Sequence, residues 1–297
     1  MKYWILAFVA ACAIGAATAW VLSAPRGIDA QTANAVSAPG DAQAGGVVFY
    51  MGGCESCHMT PGQPDPLRLG GGLELKSPFG SFYPPNISSD PTDGIGAWTA
   101  PEFANALLAG VSRQGENMYP AFPYTSYHAI KPADVRDLFA FLHTLPAVKG
   151  RAPPHGLGFP FNIRRAVGLW KFLFFNSAPL ESTAEHSAKW RLGQYIVEGP
   201  GHCAECHSPR NFLGAVVASK RLTGGPNPEG KGVVPNITAA GLHDWSPDDI
   251  VTALSIGFTP KGDTLGSSMA PVVRNMSQLP KEYLEAIADY LKSYQAP

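Results

Sequence analysis

The sequence predicts a mainly α-helical protein: two tandem copies of one domain with long irregular loops, preceded by an apolar helix. Three observations predict it. Residues Trp4 to Ala24 carry no charge. A set of short motifs recurs in unchanged order about 150 positions apart. Each copy closes on apolar residues at helical spacing, and no alternating run is long enough to build a sheet. The composition agrees. Hydrophobic residues make up 45% of the 297, enough for a core. With 32 Gly and 28 Pro, much of the chain must lie in irregular connections. Lys plus Arg (22) nearly cancels Asp plus Glu (23), so the chain lacks the basic surplus of a nucleic-acid binder and no such partner is expected.

The N-terminal run of 21 uncharged residues gives roughly 30 Å of helix at about 1.5 Å per residue, one bilayer core. Lys2 precedes it, while Arg26 and Asp29 cancel beyond it, which keeps the N-terminus inside and exports the rest. Ala17-Thr18-Ala19 is a cleavable A-x-A pattern. Trp20-Val21-Leu22 continues the apolar run past that site, and Trp4 and Trp20 suit the two membrane interfaces. The balance favours a retained anchor over a cleaved signal. Cys12 falls inside this helix without a chemical role.

The repeat aligns Cys54-Glu55-Ser56-Cys57-His58 with Cys203-Ala204-Glu205-Cys206-His207. Further along it aligns Pro85-Asn86-Ile87-Ser88 with Pro235-Asn236-Ile237-Thr238, Trp98 with Trp245, and Met118-Tyr119-Pro120 with Met269-Ala270-Pro271. A helix is expected ahead of each cysteine pair; the second opens on the capping box Ser182 to Glu185 and runs through Trp190 to Val197. After a Gly/Pro-rich loop comes a short helix, started by Thr99 with Glu102 in one copy and by Ser246-Pro247 in the other. Closing helices carry Val135, Leu138, Phe139 and Leu142, then Tyr283, Ile287, Tyr290 and Tyr294. The expected boundaries are 1–28 for the anchor or signal, 40–150 for the first domain, 151–182 for an interdomain segment and 183–297 for the second domain.

C-x-x-C-H is the attachment signature of c-type haem. Two thiols must reach the two vinyl groups on one porphyrin edge, and the next residue must place an imidazole over the iron. A redox dithiol would sit in a βαβ pattern, and zinc would need more Cys or His than Cys12 supplies. Two copies in register in an exported chain therefore point to two covalent haems, held by Cys54, Cys57, Cys203 and Cys206, with His58 and His207 on the iron. The other nitrogen of each imidazole needs an acceptor, for which the carbonyls of Pro61 and Pro209 are candidates.

For the sixth ligand, Met118 and Met269 are matched in the two copies, each just before a proline in a Gly-containing loop between helices. Core packing is the ordinary role of a Met. Met276 competes for the second haem, while Met51 and Met59 stand too near the histidines to reach the opposite face. His128 and His143 would offer bis-His ligation in the first copy only; His202 shares a haem edge; His155, His186 and His243 read as solvated. Arg210 is the candidate partner of a haem propionate, ahead of Arg113, Arg164 and Arg165. Tyr119, Phe122, Trp98 and Trp245 are candidates for packing on the porphyrins. The Asn-Ile-Ser/Thr triplets match a sequon, but their repetition suggests a turn that packs on haem. Between the copies, residues 159–175 are strongly aromatic, with Ile163, Val167, Trp170 and Phe174 on one helical face, and are expected to pack between the domains more than to dock elsewhere.

These segments resemble the cytochrome c subunits of membrane-bound alcohol and gluconate dehydrogenases. The resemblance rests on Gly-Gly-Cys54-x-x-Cys57-His58, Asn86-Ile87, Met118-Tyr119-Pro120-Ala121-Phe122-Pro123-Tyr124, Gly158 to Arg164, and Gly201-His202-Cys203-x-x-Cys206-His207-Ser208-Pro209-Arg210-Asn211. It covers about residues 45–297. It implies class I cytochrome c domains with His/Met haems on the periplasmic side of the inner membrane, taking electrons from a dehydrogenase and passing them to a terminal oxidase, quinone or another cytochrome. Those subunits usually carry three haems, and this chain has motifs for two. The competing reading is a di-haem enzyme, such as a peroxidase or a thiosulfate-oxidising cytochrome, which would need an open or Cys-ligated iron.

Overall fold

A computed structural model describes residues 1–180, 185–227, 230 and 232–296. Helices dominate it. Helix α1 (Lys2–Leu22) buries none of its residues and has a mean hydropathy of 2.3; among the described residues it alone is long and apolar enough to cross a membrane.

The first half contains α2 (Ala30–Val36), α3 (Ala42–Met51), α4 (Cys54–His58), α5 (Ala100–Ala109), α6 (Tyr124–Tyr127) and α7 (Pro132–Thr144). After α8 (Arg164–Phe174), the second half contains α9 (Ala188–Glu198), α10 (Ala204–His207), α11 (Pro247–Ile256), α12 (Met269–Met276) and α13 (Lys281–Ser293). The expected capping box of Thr99 and Glu102 starts α5, and Ser246 with Pro247 starts α11 as expected, where Asp249 completes a second capping box that the spacing did not call for. Helix α9 opens on Ser187, whose side chain accepts from the Trp190 N–H. The earlier start expected at Ser182 lies in part outside the described residues.

Each half is organised by a crossing of its first long helix with its last, α3 on α7 and α9 on α13. A glycine sits at each crossing. A Cβ on Gly45 would fall 1.9 Å from the Asp137 carbonyl oxygen, and one on Gly193 would fall 1.9 Å from that of Ala286. Only hydrogen fits there, so the backbones meet directly. Val135, Leu138 and Leu142 of α7 are buried as the spacing predicted, and so are Ile287 and Tyr290 of α13. One continuous buried cluster runs through both halves, from Val36 and Phe49 to Ile196 and Leu291.

Extended structure is limited to short pieces in the loops. β1 (Leu75–Ser77), β2 (Gly80–Phe82) and β3 (Gly156–Leu157) form an antiparallel three-stranded sheet, and β4 (Gly225–Pro226) pairs with β5 (Val233–Val234). Strands of two or three residues leave no alternating pattern, which is why periodicity does not reveal them.

The aromatic segment at 159–175 divides its contacts. Val167 is buried, and the Trp170 indole N–H donates to the Leu213 carbonyl at 2.9 Å, joining α8 to the second half. Lys171 is buried and donates to the carbonyls of Ala109 (2.6 Å) and Gly110 (3.2 Å), closing the C-terminus of α5. Burial lowers its pKa to about 8. On the other side, Arg165 donates to the Trp20 carbonyl and the Ser23 hydroxyl and lies over the Trp20 ring, tying α8 to the end of α1. Phe159, Phe172 and Leu173 face outward.

Two candidate haem-attachment centres

The first C-x-x-C-H occupies α4, and the second occupies α10 with Cys203 as its N-cap, which brings both thiols and the imidazole of each onto about one turn. The two centres are alike in detail. Cys54 and Cys203 are half-buried, Cys57 and Cys206 are exposed, and His58 and His207 are buried. Burial raises the thiols of Cys54 and Cys203 to about 12, and neither residue is in a disulfide.

Both imidazoles are braced in the same way. The Nδ1–H of His58 donates to the Pro85 carbonyl at 2.8 Å, and that of His207 donates to the Pro235 carbonyl at 2.8 Å. A carbonyl can only accept, so the proton is assigned to Nδ1 and the Nε2 lone pair is left for a metal. Burial depresses both imidazole pKa values, which keeps the rings neutral as ligands must be. The acceptors are therefore not Pro61 and Pro209, the prolines next along the chain, but the first residues of the repeated Pro-Asn-Ile-Ser/Thr turns. A loop of about 25 residues returns to cover each imidazole, and its contacts are not visible in local spacing.

The return is set by hydrogen bonds that recur in both halves. Gly71 N–H donates to the His58 carbonyl and Gly224 N–H to that of His207, at 2.8 and 2.7 Å. Both glycines have positive φ, and a Cβ on either would fall within 2.5 Å of backbone on the Pro85 or Pro235 turn. The side-chain oxygens of Asn86 and Asn236 accept the N–H of Ser88 and Thr238 at 2.9 Å. The sequon-like triplets thus shape the turn that holds the histidine.

The two methionines are held differently. Met118 lies in the loop between α5 and α6, where its N–H donates to the Gly110 carbonyl at 2.8 Å. In the second half the same bond, to the Gly257 carbonyl, is made by Leu265. Met269 comes four residues later and opens α12, so it is a helical residue and not the loop residue expected. Pro271 is accommodated because first-turn N–H groups need no partner within the helix. Both methionines are half-buried, whereas Met276 is buried in the core cluster.

Among the other candidates, Arg210 places its guanidinium on the Glu205 carboxylate (2.7 Å), the Glu205 carbonyl and the Gly214 carbonyl. His128 is spanned by the carbonyls of Thr125 and Ala178, and His143 bonds its own helix at Phe139. His155 is half-buried, not solvated: it accepts from the Tyr83 N–H and packs on Phe82 and Tyr119. Trp98, Trp245 and Phe122 pack against the core cluster, and Arg164 lies over the Tyr119 ring. Sequence reasoning missed Glu55, Glu198 and Glu205. Glu198 is buried between Arg221 and the Tyr290 hydroxyl, 2.7 Å away. Nothing in a single sequence marks a glutamate as buried.

The donor set fits haem c. Each centre offers two thiols on one helical turn and a neutral imidazole whose outer nitrogen is fixed by a carbonyl. The cytochrome c family profile matches residues 42–146, from the first residue of α3 to just past α7. A "Diheme cytochrome c-type" protein of Cereibacter sphaeroides is 49% identical over 259 residues, covering 86% of this chain and 87% of that one. The "Fructose dehydrogenase cytochrome subunit" of Gluconobacter japonicus is 36% identical, over 82% of this chain and 50% of that subunit. The "Alcohol dehydrogenase (quinone), cytochrome c subunit" of Gluconobacter oxydans is 34% identical, over 93% and 60%. The chain thus spans 50 to 60% of the length of these two dehydrogenase subunits. It belongs to the cytochrome c family.

Proposed function

We propose that this chain is a two-haem electron carrier: two tandem cytochrome c domains, bounded as the repeat suggests, held on the periplasmic face by α1. The chemistry that haem c supplies in such a site is a one-electron Fe(III)/Fe(II) couple. Cys54 and Cys57 tether one group, and Cys203 and Cys206 the other. His58 and His207 present Nε2 to the iron while Pro85 and Pro235 hold each ring by Nδ1. Met118 and Met269 would supply the remaining ligands, since a thioether raises the reduction potential and would leave no position for substrate. Arg210 was the expected partner of a propionate; its bonds to Glu205 and Gly214 make it a brace of α10 in this reading.

The electron donor is a dehydrogenase, as the names of the related subunits suggest, and the acceptor is a terminal oxidase, quinone or another cytochrome. The chain itself is a carrier and not the catalytic subunit. Helix α1 supports membrane anchoring through its length and apolar surface, and Arg165 fastens its outer end to the folded part.

The observation that carries the proposal is the duplicated imidazole brace on two C-x-x-C-H helices. Absorption spectroscopy of the full-length protein tests it. Fully reversible reduction of two low-spin haems, with no binding of cyanide or peroxide at rest, is the expected result. A high-spin haem that reacts with peroxide would instead establish a di-haem enzyme.

A further inference from the structure

Each attachment helix carries a glutamate that reaches into the other half. Glu55 of α4 is 3% exposed, and its Oε1 accepts from Arg274 Nε (2.8 Å) and Asn275 Nδ2 (2.9 Å). Both partners lie on α12, the helix opened by Met269. The same Asn275 amide donates to Ser56 Oγ at 3.1 Å, and Asn275 is 1% exposed. Glu205 of α10 answers from the opposite side. Its Oε1 accepts from Thr125 Oγ1 (2.7 Å) and Ser126 Oγ (3.0 Å), both on α6, the helix that follows Met118. Arg210 balances the charge on its Oε2 at 2.7 Å.

The glutamates occupy different positions, the first intervening residue of one motif and the second of the other, so the sequence repeat does not align them. Their roles nevertheless match. Each fastens the segment that follows the other half's methionine. Between them lies Tyr127 of α6. Its hydroxyl donates to the Gly52 carbonyl (3.4 Å), two residues before Cys54. Its ring meets the ring of His202, the residue before Cys203, edge-on at 5.4 Å. The segments leading into the two cysteine pairs therefore meet along one seam, with Tyr127 touching both.

We infer that this seam is the route between the two haems, and that Glu55 and Glu205 are reciprocal latches that set their separation. The inference rests on the two-haem reading above. Haem c at each centre would be tethered beside its cysteines, so segments that meet next to both pairs would set how far apart the two groups lie. Electron passage is steeply sensitive to that gap. Glu55 is buried and the Glu205 side chain is 11% exposed, and such carboxylates are suited to fixing it: breaking one from its donors strands a poorly solvated charge, so partial opening is costly. Glu55 and Glu205 act through the haem-bearing helices and are positioning residues.

The test uses the full-length holoprotein in its oxidised form, with pulsed EPR reading the dipolar interaction between the two low-spin ferric centres. Wild type is expected to give one sharp inter-haem distance. Glu55→Ala and Glu205→Ala are each expected to lose it, giving a broad distribution with the same low-spin haem signals. Glu55→Gln and Glu205→Gln retain an oxygen acceptor and are expected to restore the sharp distance. Should an alanine variant fail to mature, Thr125→Val and Ser126→Ala remove the donors instead and are expected to broaden the distribution in the same way. Unchanged distances in the alanine or donor variants would overturn the inference. A wild-type protein carrying one haem would show a single paramagnetic centre, which would defeat the two-haem reading itself and is distinguishable from latch failure.

Discussion

Met118→Ala and Met269→Ala are each expected to open one haem and leave the other closed. In either variant, half of the methionine-to-iron charge-transfer intensity disappears, one equivalent of cyanide or imidazole binds, and the potential of the altered haem falls as the thioether is lost. The reasons are structural. Met118 is fastened through its N–H to the Gly110 carbonyl, and Lys171 donates to the same carbonyl, so this loop is held rigidly and a neighbouring residue does not slide into its place. Met269 opens α12, which Glu55 holds through Arg274 and Asn275. The obvious replacement, Met276, is buried in the core on the same helix. Near-infrared absorption and ligand titration of each variant check the result. Intact charge-transfer intensity in either variant removes that methionine as a ligand.

The second large effect is on the helix crossings. Gly45→Ala and Gly193→Ala each place a methyl 1.9 Å from a carbonyl oxygen of the facing helix, against Asp137 or Ala286. Backbone cannot yield as a side-chain tip can, so the helices must separate. The cost is at the upper end of overpacking, about 3 kcal/mol or more, which for a domain of about 110 residues lowers Tm by roughly 10 °C or more. Both variants should also mature poorly, because the separated helices precede and follow the attachment loop. Thermal unfolding followed by circular dichroism checks the first effect, and haem stain per unit of chain the second. Substitution at Gly62, whose Cβ would meet nothing within 4 Å, is the control for a glycine without a crossing, although its positive φ carries a small local cost.

Much of the fold was legible because its signals are local. The capping box at Thr99, the Ser246-Pro247 helix start, apolar spacing in α7 and α13, and the uncharged run of α1 each specify structure from neighbours in sequence. The grouping of each cysteine pair with its histidine was legible for the same reason, since the motif spans little more than one helical turn. What was missed depends on contacts far apart in the chain. The imidazole acceptors are 27 and 28 residues from their histidines. The repeated Pro-Asn-Ile turn signalled that something is held there, but not that the preceding carbonyl does the holding. Glu55 bonds residues 219 and 220 positions away, and a glutamate between the two cysteines of a motif reads as solvated until its partners are known. The start of α12 at Met269 was hidden by Pro271, which reads as loop punctuation yet is tolerated in a first turn.

Intact-mass measurement of the purified chain, before and after proteolysis between the two motifs, bears most directly on the account. It predicts the polypeptide mass plus two haem groups that survive denaturation, one on the peptide containing Cys54 and Cys57 and one on that containing Cys203 and Cys206. A chain with a single added group, or with both peptides at their bare masses, would contradict it.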